Sequence, residues 1–184
     1  MSMDIARNIT TARELLEAGD IGPCELVRGR LRVMSPAGGR HGRIAARITG
    51  RLDAYVERTN GGAVLAAETG FLIASDPDTV RAPDVAFVVA ERVHLIPARG
   101  FVRGCPDLAV EVLSPDDRER DVDEKVGAWI AAGTRIVWVV DPEMRTITVH
   151  RAGVAPFVLC SGSHVTGGEV LPGFELPVDV PFRS

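Results

Sequence analysis

Between residues 41 and 58 the apolar side chains Ile44, Ile48, Leu52, Tyr55 and Val56 recur at helical spacing. That spacing predicts a long amphipathic helix with one face in a core. A short helix is predicted over TARELLEAGD, where Thr11 and Glu14 match a capping box and Gly19 marks the end. A third follows Ser114-Pro115, with Val122, Val126, Trp129 and Ile130 on its apolar side and Gly133 at its end. Between these helices the chain reads as strands. CELVRGRLRVM predicts a hairpin turning at Arg28-Gly29-Arg30, with Leu26, Val27, Leu31 and Val33 supplying apolar contacts. GAVLAAETGFLIAS gives two strand-like segments around residues 67–69, ahead of a turn at Asp76-Pro77-Asp78. VRAPDVAFVV is a strand entered through Pro83. DLAVEVL and TRIVWVVDP are apolar on both faces, the pattern of central strands. TITVHR pairs with the second of these through a turn at residues 142–145, and PFVLC and residues 169–176 supply short closing strands. The stretch ERVHLIPARGFVRGCP is irregular. This order predicts one α/β (α+β) domain over residues 1–184, with its core over about residues 25–176. A mixed sheet carries the long helix on one face and a further helix after the central strand.

Composition narrows the class. At 184 residues and 46% hydrophobic, the chain can bury a sizeable core. Its longest apolar runs, residues 85–90 and 136–140, are far too short to span a bilayer, and MSMDIARNITTARE lacks an apolar signal core. The expectation is a soluble cytoplasmic protein without a membrane partner. Cys24, Cys105 and Cys160 are scattered and have no CxxC spacing, which argues against a disulfide framework or structural zinc. A net charge of −4 argues against nucleic-acid binding by bulk attraction, though a local basic patch stays open. Arg43, Arg47 and Arg51, at four-residue steps, fit either a stripe that meets phosphates or a solvated helix face, the commoner arrangement. Gly38-Gly39 fits a phosphate approach or, more often, a plain connection.

Candidate chemistry centres on two acids. Glu111 lies among Val110, Val112 and Leu113, and Asp84 opens the apolar run VAFVV. A carboxylate in a buried strand is costly unless it is paired or bound to a metal. If the two strands are neighbours, both carboxylates can converge on one Mg²⁺, with the Val112 carbonyl adding an oxygen. Of the 21 basic residues all but Lys125 are arginine. Lys125 falls three residues after Val122 and four before Trp129, at the border of the helix's apolar side, from where a long stem can deliver charge to the sheet. Asp121, one turn earlier, is its expected restraint.

These residues carry a resemblance. PD at 83–84, EV at 111–112 and a lysine downstream resemble the PD-(D/E)XK nuclease superfamily, and in particular its Uma-type family of restriction endonuclease-like proteins. The resemblance runs from about residue 25 to 175 and takes in CELVRGRLRVMSP, His41, RAPDVAFV, LAVEVLSPDDRERDVDEK, GTRIVWVVDP and LPGFELP. It implies a restriction endonuclease-like core, with Asp84 and Glu111 as metal-binding acids and Lys125 as the superfamily's lysine. The usual motif puts lysine two residues after the acid, where this chain has Leu113, so lysine would act from the following helix. Glu25 and His41 fall at positions the pattern also features, as second-shell or metal-side groups, or equally as a hairpin acid and a helix-start histidine. The implied activity is Mg²⁺- or Mn²⁺-dependent hydrolysis of DNA phosphodiester bonds by a homodimer. The alternative is a catalytically inactive nuclease-like module that binds nucleic acid or serves an accessory role. A hydrolase of smaller phosphoesters is a third class.

Overall fold

The run LAVEV is buried at every position because it lies inside a sheet covered on both faces. The structure, a computed structural model, describes residues 9–183; most of the polar N-terminal stretch read above lies outside them. In chain order the elements are α1 (Ala12–Glu17), β1 (Cys24–Val27), β2 (Arg30–Val33), α2 (Gly39–Thr59), β3 (Gly62–Ala66), β4 (Phe71–Ala74), β5 (Thr79–Arg81) and β6 (Val85–Val89). A 3-10 turn (Ala90–Leu95) leads to β7 (Val102–Arg103), β8 (Leu108–Val112), α3 (Glu119–Ala131), β9 (Ile136–Asp141), β10 (Thr146–Arg151), β11 (Val154–Leu159), β12 (His164–Gly167) and β13 (Leu171–Pro177).

The expected mixed sheet is present and is accompanied by two further sheets. A six-stranded sheet runs β11-β10-β9-β8-β6-β3, a five-stranded sheet runs β2-β1-β5-β4-β7, and β12 and β13 pair separately. Within the larger sheet β8 is parallel to β9 and antiparallel to β6, so it is mixed, and β8 is interior. VRAPDVAFVV is therefore two strands. β5 belongs to one sheet and β6 to the other, and residues 82–84 cross between them. Pro83 explains the break, since it has no N–H to give a ladder.

Strand alternation assigns the faces. Val85, Phe87, Leu108, Val110, Val112 and Trp138 meet Ile44, Ile48, Leu52 and Tyr55 of α2. The alternate residues Ala86, Ala109, Val137 and Val139 meet Val126 and Trp129 of α3, and the same cluster includes Phe71 of β4. Leu26 and Val80 of the smaller sheet pack instead on Ile9, Ala12 and Leu15. Helix α3 thus lies between the two sheets, with α2 and α1 on the outer faces. Glu111, on β8 between Val110 and Val112, faces α3.

Local signals formed as their chemistry requires. Thr11 and Glu14 make both bonds of the capping box on α1. The β1–β2 turn takes Arg28 and Gly29 at φ of 50° and 69°, the left-handed pair that two-residue hairpins favour. α2 ends on Asn60 in the left-handed region. Val33 corrects its expectation: it is 64% exposed, because β2 is an edge strand that is largely solvated. Among the described residues no helix is long and apolar enough to cross a membrane.

Candidate active site

Asp84 and Glu111 meet at one end of the six-stranded sheet. β6 and β8 pair with Val85 opposite Val110, which sets Asp84 beside the end of β8. The Asp84 N–H donates to the Val110 carbonyl at 3.1 Å. In return the Val112 N–H donates to Asp84 Oδ2 at 2.7 Å. His41, in the first turn of α2, places Nε2 at 3.2 Å from the same oxygen. That contact raises His41 above its ordinary pKa against the opposing effect of burial, and the Asp84 charge and the Val112 backbone add to the rise.

Glu111 is only 6% exposed. Both of its oxygens take donors from α3: Lys125 Nζ at 2.7 Å on Oε2 and Trp129 Nε1 at 2.7 Å on Oε1. Burial pushes the carboxyl up, the Lys125 ammonium pulls it back, and Asp84 and Glu25 add repulsion, leaving it at about 7. Lys125 itself is disfavoured by burial, yet Glu111, Glu25 and Asp84 more than offset this and hold it above the ordinary lysine value. Its other partners are Glu25 Oε1 at 3.3 Å and the Ala82 carbonyl at 3.3 Å. Asp121, the expected restraint, is exposed on the first turn of α3, and these three groups hold Lys125 instead.

Glu25 reaches the site from β1. It is 4% exposed, accepts Arg81 Nη1 at 2.9 Å on Oε2 and accepts the Ala82 N–H at 3.1 Å on Oε1. Arg81 in turn donates to Glu124 Oε1 at 3.1 Å, and Arg32 lies 3.4 Å from Glu124 Oε2. Alternation on β1 and β5 explains this: Leu26 and Val80 turn to the α1 side, so Glu25 and Arg81 turn to α3. A sequence with carboxylates from two sheets and one lysine between them thereby closes a charged layer around α3.

Of the residues singled out from the sequence, Glu25, His41, Asp84, Glu111 and Lys125 lie in this layer or directly against it. Arg47 of the arginine stripe donates instead to the carbonyls of Pro181 and Arg183. Two contributors went unread. Trp129 counted only as an apolar position, although its distance of four residues from Lys125 puts both on one helix side. Arg81 sat in a segment read as one strand, and nothing local marked it as a partner of Glu25.

The oxygens of Asp84, Glu111 and the Val112 carbonyl are hard donors that suit Mg²⁺ or Mn²⁺. The set contains two acidic side chains; among the described residues no three His, Cys, Asp or Glu are grouped to hold a metal.

The mixed six-stranded sheet with helices on its faces is a restriction endonuclease-like fold. The crystal structure of a putative nuclease belonging to DUF820 from Anabaena variabilis ATCC 29413 has the same fold, with a TM-score of 0.80 and 19% identity over 94% of this chain and 97% of that one. The chain belongs to the Uma2 family, described as "Putative restriction endonuclease", whose model matches residues 13–179. No protein of curated function matches it.

Proposed function

We propose that this chain is a divalent-metal-dependent DNA endonuclease, a single restriction endonuclease-like domain that hydrolyses phosphodiester bonds in the cytoplasm. The observation that carries the reading is the convergence of Asp84, just ahead of β6, with Glu111 of the neighbouring β8, and Lys125 at 2.7 Å from Glu111. Family membership and fold support it. Asp84, Glu111 and the Val112 carbonyl would hold Mg²⁺ or Mn²⁺. When bound, such an ion polarises a phosphoryl oxygen and makes a coordinated water more acidic.

The protein's own groups have separable tasks. Asp84 is fixed by the Val112 N–H, so its second oxygen keeps a defined direction. Glu111 is held at both carboxylate oxygens by donors from α3. Lys125 is the cation available to orient a water or to offset the charge that builds on the phosphate. Glu25 and His41 support this set, Glu25 by holding Lys125 and His41 by holding Asp84. Cutting both strands of a duplex calls for two such sites, and a homodimer with two-fold symmetry supplies them.

Incubating purified protein with supercoiled plasmid and Mg²⁺ or Mn²⁺ tests the reading. Nicked and linear products are expected from the wild type and none from Asp84→Ala or Glu111→Ala. Cleavage that survives in both variants overturns it.

A further inference from the structure

The Glu111 carboxylate is held at opposite oxygens by two very different donors. Lys125 is a flexible stem whose ammonium is shared among Glu111, Glu25 and the Ala82 carbonyl. Trp129 is a rigid indole with no exposure, packed edge-on to Phe71 at 6.1 Å between ring centroids and 85° between planes. Rotation of a glutamate carboxylate about its last bond is soft and broad, so a lone glutamate defines no oxygen direction. A donor at one oxygen sets that direction only if the donor itself cannot move. Lys125 does not qualify, because its ammonium rides on a long rotatable stem and any turn toward a substrate takes it off Oε2. Trp129 does qualify. Its ring is fixed by packing, its N–H has one orientation, and it meets Oε1 at 2.7 Å.

We propose that Trp129 is a positioning residue for Glu111: its indole N–H fixes the carboxylate plane through Oε1, so that Oε2 keeps its direction for a divalent cation when Lys125 leaves. This rests on the reading of Glu111 as a metal-side acid. Burial of the indole explains why a tryptophan can do this where a solvated donor cannot: the bond has no water to compete with it. Without the N–H, Glu111 keeps its place on β8 but loses its orientation, and Oε2 is free to follow Lys125.

The test is a double-mutant cycle between Trp129 and Glu111, read by Mn²⁺ titration calorimetry on the metal-free protein and by urea unfolding. Trp129→Phe keeps an aromatic ring against Phe71 and removes the N–H. Replacement of Trp129 by 3-benzothienylalanine, which puts sulfur in place of the indole N–H, preserves the ring shape if the phenylalanine variant folds poorly. Both are expected to weaken Mn²⁺ binding by about tenfold, the size of one buried charge-assisted hydrogen bond. In a Glu111→Gln background the same changes are expected to add nothing to the loss, because the group they orient is already changed. A purely packing role predicts the opposite, an equal stability loss in both backgrounds and an unaltered Mn²⁺ affinity, and that result overturns the proposal. If the wild type binds Mn²⁺ and cuts plasmid while both Trp129 variants bind it equally well, the inference fails and the nuclease reading stands. If the wild type binds Mn²⁺, fails to cut, and the variants bind more weakly, the nuclease reading fails and the positioning role stands. Absence of Mn²⁺ binding by the wild type overturns both.

Discussion

Lys125 Nζ lies 2.7 Å from Glu111 Oε2, a contact made by a helix that sits between two sheets onto an acid near the end of an interior strand of one of them. Across the same helix the ammonium is 3.3 Å from Glu25, an acid of the other sheet. One cation therefore stands between two buried carboxylates from separate layers. Removing one partner of such a set leaves uncompensated charge in the interior.

Lys125→Met is accordingly expected to destabilise the fold by about 3–5 kcal/mol, the range for breaking a buried ion pair. The loss should be greater at pH 8 than at pH 5, since protonation of Glu111 relieves it at the lower pH. Urea denaturation at the two pH values checks this. A variant as stable as wild type at pH 8 would show that Lys125 is not the neutralising partner.

Glu111 also makes stability depend on pH. Its folded-state pKa of about 7 is above the ordinary 4.5, so between those values the folded state holds a proton that the unfolded state has lost. Stability contributed by this group is thus present at low pH and falls as pH rises from about 4.5 to about 7, by on the order of 3 kcal/mol. His41, also raised, adds stability present below its ordinary 6.5 and lost as pH rises through its folded value. Comparing urea midpoints of wild type and Glu111→Gln across pH 4.5–7.5 isolates the glutamate. Parallel curves would refute the assignment.

Asp84→Asn keeps the shape of the side chain and removes its charge. The contact that raises His41 then weakens, so the His41 pKa is expected to drop toward its ordinary value, which NMR of the imidazole ring protons reads directly. Plasmid cleavage is expected to fall by about 100-fold or more, comparable to removing one preorganised group that stabilises charge in a transition state. An unmoved His41 titration would show that Asp84 is not its partner.

Gly62 tests the fold away from the site. A Cβ there would come 2.1 Å from the Val88 carbonyl oxygen and 2.8 Å from the Phe87 ring, where β3 pairs with β6. Gly62→Ala is expected to cost about 1–3 kcal/mol through displacement of the strand that follows Asp84, with thermal unfolding as the measurement. A neutral result would mean that β3 is not seated on β6 as described.

The sequence disclosed what depends on neighbours in the chain. Asp84 and Glu111 stood out because apolar residues flank them, and α2 because Ile44, Ile48, Leu52 and Tyr55 repeat at its period. Partners across layers were not legible. Asp121 was the near candidate for Lys125, but the acids that hold it come from strands 14 and 100 residues away in number, a pairing only the topology creates. The same reason hid Trp129, whose apolar spacing is satisfied by the core while its N–H direction is fixed by β8. Val33 failed for a simpler cause: alternation shows which residues could face a core, and an edge strand need not have one on its side.

The crossing at residues 82–84 has a mechanical consequence. From Arg81 to Val85 the chain can reach at most about 14 Å, so the two sheets are tethered at the very point where Asp84 emerges. They cannot hinge apart there to admit a substrate. The pair Asp84 and Glu111 therefore sits on a backbone that the crossing itself keeps in register, with Lys125 reaching it from the helix clasped between the two sheets.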